Sequence, residues 1–129
     1  MTVFLAYLFI AWTGIGLFLL IDPGALANYA GVMANSDTGT SELRAMYGGM
    51  ELAIGLSALW AIVRPKWREH ALFLQAVVTG GIAAGRLVGM VVSESASMYT
   101  LSALSFELST VLLCVIFARR LRQEAVNFG

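Results

Sequence analysis

Residues 3–21 run without a single charge and then stop at Asp22-Pro23-Gly24. A bilayer core about 30 Å thick needs roughly 20 apolar residues at ~1.5 Å rise each, so this stretch reads as a membrane-spanning helix. Proline cannot continue a helix, and Pro23 with its neighbours gives the span a firm end. Three further segments pass the same test, at about 42–63, 71–92 and 99–118. The expected fold is therefore all-α, a single domain over residues 1–129, built as an antiparallel four-helix transmembrane bundle. Composition agrees. The chain is 59% apolar and 12% charged, against about 45–50% and about 25% in an ordinary soluble domain. That balance excludes a soluble enzyme, a nucleic-acid binder and a disordered tail. With eight basic and eight acidic residues the net charge is zero, so no global field attracts polyanions.

The loops set the orientation. Arg64, Lys66 and Arg68 lie between the second and third spans, and Arg119, Arg120 and Arg122 follow the fourth. The other two loops contain no Lys or Arg, only Asp22, Asp37 and Glu94. By the positive-inside rule both termini are cytoplasmic, as in a multi-pass protein of the bacterial inner membrane. The first span lacks a basic leader and exceeds the usual apolar length of a signal peptide, so it reads as a span rather than a cleaved signal. Ser41 is the expected N-cap of the second span, with Glu42 suited to the positive end of the helix dipole. Residues 24–34 carry Leu26, Tyr29, Val32 and Met33 at roughly helical spacing, which predicts a short helix lying at the interface.

Four charges fall where lipid should be: Arg44, Glu51, Arg86 and Glu107. Each costs about 2.5–3.5 kcal/mol at a helix centre, so such residues turn inward and pair. Counting along the spans places Glu51, Arg86 and Glu107 at similar depth in the outer half, roughly 9–13 Å in at ~1.5 Å per residue, with Arg44 above them. The planar guanidinium fork suits a place between two carboxylates. Arg44, Gly48, Glu51 and Gly55 share one face of the second span. Gln75, Thr79, Arg86 and Ser93 form a polar stripe on the third, and Thr100, Glu107, Thr110 and Cys114 another on the fourth. Tyr47 lies beside the first stripe, where its hydroxyl would cap the network. The expected ligand-binding set is Arg44, Tyr47, Glu51, Arg86 and Glu107. Against this stands a plainer reading, in which paired charges only fix helix register.

Gly81, Gly85 and Gly89 form a small-residue ridge on the third span. Two readings are open: tight packing of the second and third spans, or a homo-oligomer interface through these glycines. Gly48, Gly49 and Gly55 smooth the second span, and Gly14 and Gly16 the first. The inventory is otherwise sparse. His70 and Cys114 are the sole histidine and cysteine, so a bis-histidine haem, a cysteine metal cage and a Ser-His-Asp set are all excluded. No HExxH, GxxxxGK[ST] or GxGxxG motif is present, and no metal or other cofactor is expected.

The run Glu42-Leu43-Arg44-Ala45-Met46-Tyr47-Gly48-Gly49-Met50-Glu51, then Gly85-Arg86-Leu87 and Phe106-Glu107-Leu108, resembles a family of small four-helix bacterial membrane proteins known only as a domain of unknown function. It is also distantly similar to DoxX-like membrane proteins. The resemblance implies an inner-membrane bundle in which Arg44, Tyr47, Arg86 and Glu107 matter, and it implies no activity. DoxX-like proteins are associated with redox partners and quinone-linked complexes, whereas this chain has no cysteine pair.

Three functional readings follow. The first is a non-catalytic protein whose charged pocket, open toward the outer face, binds a small amphiphile (lipid, quinone or isoprenoid) or docks a partner membrane subunit. The second is an enzyme of isomerase or cyclase type, with Glu51 or Glu107 as acid or base on a lipophilic substrate. The third is a structural accessory subunit of a membrane complex.

Overall fold

A computed structural model describes residues 1–94 and 96–128, with the backbone alone described for 125–128. Among the described residues there is no strand, and four helices are long and apolar enough to cross a membrane. The chain divides into two compact units, 1–66 and 67–129.

The first unit begins with α1, Thr2–Ile21, whose last turn closes onto Asp22 as its backbone N–H donates to Phe18 O. A 3₁₀ turn, Pro23–Ala25, leads into the short α2, Leu26–Ala30. Gly31 ends α2 in the left-handed region at φ 69°, a C-cap that glycine adopts without steric cost. The interfacial helix expected over 24–34 is thus shorter than its apolar pattern. Leu26 is buried with Leu19 and Ala25, while Tyr29 and Met33 are exposed.

The second span starts earlier than expected. Helix α3 is Asp37–Leu43, capped by Ser36, whose Oγ accepts from Gly39 N at 3.1 Å. The N-cap is therefore Ser36 and not Ser41. Asp37 in the first turn complements the dipole there, so a stretch that reads as loop becomes helix. The helix then widens into a π-helical segment, Arg44–Gly49, before α4 continues as Met50–Val63.

Helices α1 and α4 pack antiparallel through glycine. A Cβ on Gly16 would stand 2.5 Å from Leu52 N, one on Gly48 2.8 Å from Leu20 Cα, and one on Gly55 would strike the Thr13 hydroxyl. Small residues at these points let the two backbones touch.

A 3₁₀ turn, Pro65–Trp67, leads into the second unit, where α5 is Arg68–Ser93 and α6 follows as Met98–Phe128. Ser97 caps α6 by accepting from Thr100 N at 3.1 Å. The two helices form an antiparallel hairpin. Glu69 meets Arg122, a methyl on Gly80 would rest on Val111, and Arg86 meets Glu107.

Candidate functional site

Arg86 and Glu107 come together as the sequence predicts. Arg86 Nε lies 3.0 and 3.1 Å from the two carboxylate oxygens of Glu107, and Nη2 lies 2.7 Å from Oε1. Glu107 is 3% exposed, so this is a charge pair held largely away from solvent. Its geometry is the two-pronged one that a guanidinium fork favours. The guanidinium also sits over the Tyr99 ring, 5.8 Å from its centroid. Nothing in the spacing of Tyr99 marks it as a partner of Arg86. The available signal was the short spacing between the end of α5 at Ser93 and the start of α6 at Met98, which brings the first residues of α6 beside the last turns of α5.

Further along the same hairpin Gln75, Thr79, Thr110 and Cys114 are buried, as the two polar stripes require. Their outer ends are spent locally. Ser93 Oγ donates to Gly89 O within α5, and Thr100 belongs to the α6 cap.

In the first unit the expected residues share a stretch of chain but do different things. Arg44 Nε donates to Leu20 O at 3.1 Å, one of the last carbonyls of α1, which its own helix leaves without a partner. A cation there also complements the negative end of the α1 dipole. The face of Arg44, Gly48 and Gly55 is therefore real, but it meets α1. Tyr47, 37% exposed, makes no hydrogen bond among the described residues. On the first turn of α4, Glu51 Oε2 is buried and makes no hydrogen bond to a described residue; the same holds for the Thr13 hydroxyl of α1. Arg44, Tyr47 and the beginning of the Glu51 turn all belong to the π-helical segment or adjoin it. Such wide turns are rare and concentrate at functional sites.

Beside this segment lies an open groove of about 260 Å³. Pro23, Gly24 and Ala27 form one wall, Val32 and Met33 a second, and Thr40 and Leu43 the third. Leu43 precedes Arg44, and Pro23 follows the α1 end that Arg44 caps, so the groove and the guanidinium are neighbours along both strands of chain.

A methyl on Gly81, Gly85 or Gly89 would meet nothing within 4 Å, and all three are exposed. The close glycine contacts are those of Gly16, Gly48 and Gly55 within the first unit. Among the described residues no three of His, Cys, Asp and Glu gather as a metal ion would need.

A family described as a domain of unknown function, DUF4345, matches residues 1–118. The chain belongs to that family. The DUF4345 match spans the first unit and the second as far as residue 118, includes all five predicted site residues, and its description assigns no activity. It does not show the distant DoxX-like likeness. No curated protein and no solved structure matches the chain.

Proposed function

We propose that this DUF4345 member is a small multi-pass protein of the bacterial inner membrane that binds an amphiphile at the outer end of its first unit. The groove of about 260 Å³ carries the reading. Its apolar walls suit the tail of a lipid, quinone or isoprenoid. Arg44 uses Nε on the α1 carbonyl, and the rest of its guanidinium is left to meet a carbonyl or anionic head group. Orientation rests on the basic residues: with Arg64, Lys66, Arg68, Arg119, Arg120 and Arg122 on one side and no Lys or Arg in the other loops, both termini are cytoplasmic and the groove faces outward. In this reading Arg86 and Glu107 hold the second hairpin in register.

A second reading rests on Glu51. A buried carboxylate oxygen without a hydrogen-bond partner is costly to keep and is the form a membrane-embedded acid or base takes. It makes Glu51 the catalytic group of an isomerase-type enzyme on a lipophilic substrate.

Native mass spectrometry of the protein in mild detergent, with extraction of whatever it retains, separates these. Wild type is expected to hold one defined small molecule, and Ala27→Phe, which fills the groove without breaking a hydrogen bond, is expected to lose it. Retention by Ala27→Phe, or an empty wild type that co-purifies with another membrane subunit, would sink the groove reading in favour of an accessory role. A retained compound that Glu51→Gln accumulates in an isomeric form would establish the enzyme.

A further inference from the structure

The α5–α6 hairpin carries a second groove, at the opposite end from Tyr99. It has a volume of about 180 Å³, and Phe73, Ala76, Val115 and Ala118 supply its apolar floor. Three charged side chains close one end: Glu69 from the first turn of α5, and Arg119 and Arg122 from α6. Arg122 Nε meets Glu69 Oε1 at 2.6 Å. Arg119 makes no ion pair among the described residues, so the group holds one positive charge in excess. Arg120, next along the chain, lies over the Phe117 ring at 5.8 Å and does not line the groove.

We infer that this groove holds one anionic membrane phospholipid, its phosphate diester on Arg119 and Arg122 and an acyl chain along the floor. The excess of one cation matches the single charge of a phosphate diester, and guanidinium forks bind phosphate through two parallel hydrogen bonds. A free anion would satisfy the arginines and leave the apolar floor in water. A zwitterionic lipid would fit the floor but bring a second cation to Arg119. Basic pockets between membrane helices on the cytoplasmic side are where acidic head groups settle. The inference rests on the membrane reading above but not on the groove beside α1.

The test is a lipid titration of the full chain in mild detergent, read by native mass spectrometry, with phosphatidylglycerol and phosphatidylcholine of identical acyl chains. Wild type is expected to take up one phosphatidylglycerol in preference. Arg119→Gln and Arg122→Gln should each weaken that binding about fivefold, the effect of one basic side chain near an anionic lipid. Glu69→Gln should strengthen it, because it removes a neighbouring negative charge and releases Arg122, and Arg120→Gln should leave it unchanged. The opposite signs of Arg122→Gln and Glu69→Gln are decisive, since a pair that merely held the helices together would weaken binding from either side. Equal uptake of phosphatidylcholine, a loss in Glu69→Gln, or displacement of phosphatidylglycerol by inorganic phosphate would each overturn the assignment. Arg119→Gln breaks no ion pair and carries the test alone if Arg122→Gln does not fold. Failure of the membrane reading itself would look different: the protein would stay in solution with no detergent present.

Discussion

Gly48 and Gly81 both sit inside apolar helices, yet a methyl on Gly48 would stand 2.8–2.9 Å from three atoms of Leu20, while one on Gly81 would meet nothing within 4 Å. Two of those Leu20 atoms are backbone and cannot swing aside. Gly48→Ala is therefore expected to destabilise the protein by about 1–3 kcal/mol, the usual cost of overpacking. Gly81→Ala should stabilise it by about 0.5–1 kcal/mol through helix propensity. Unfolding midpoints in mild detergent compare the two, and a destabilising Gly81→Ala would reveal a second copy packed on that ridge. The Arg86–Glu107 pair gives another contrast. Arg86→Ala leaves a buried carboxylate behind and should cost about 3–5 kcal/mol, while Arg86→Met with Glu107→Leu should recover most of it. A double variant as unstable as the single one would mean the charges do more than pair. Arg86 and Glu107 were legible in the sequence because depth along two adjoining spans can be counted. The partner of Arg44 was not, since a backbone carbonyl has no sequence signature.

Apolar length made all four long helices readable, but their ends depended on chemistry that composition hides. Residues 37–41 (Asp-Thr-Gly-Thr-Ser) look like loop, and each has modest helix propensity or worse. They are helical because Ser36 caps Gly39 N and Asp37 faces the dipole. Ser36→Ala is accordingly expected to cost about 0.5–2 kcal/mol. Ser41→Ala, in the exposed body of the helix, should stay within about 0.5 kcal/mol. Denaturation of the two variants side by side checks the assignment, and the reverse order would restore Ser41 as the cap. The π-helical segment Arg44–Gly49 was invisible for a related reason. Within it Gly48 lies against Leu20 of α1, and a close backbone approach of that kind leaves no pattern in the order of residues 44–49.

For the whole molecule, the orientation drawn from basic loops yields a direct experiment. In a Cys114→Ala background, Asp37→Cys should react with a membrane-impermeant maleimide in intact cells, and Lys66→Cys only after permeabilisation. The reverse pattern would turn both grooves to the wrong sides and remove the basis for a cytoplasmic lipid site. Four helices long and apolar enough to cross a membrane were plain at this scale because apolar length is read directly from composition. Function was not, because the residues that would bind a head group are also the ones that cap a helix or pair across a hairpin. The short link between α5 and α6, residues 94–97, has a consequence for how the protein is made. A ribosome that has released only α5 presents the insertion machinery with Arg86 unmatched, at about 2.5–3.5 kcal/mol if it enters alone. Once Glu107 has emerged, the two helices can enter as one neutral hairpin. Residues 67–124 are therefore expected to insert efficiently in a translocation assay where residues 67–93 alone do not, so that this half of the protein commits to the bilayer late in its own synthesis.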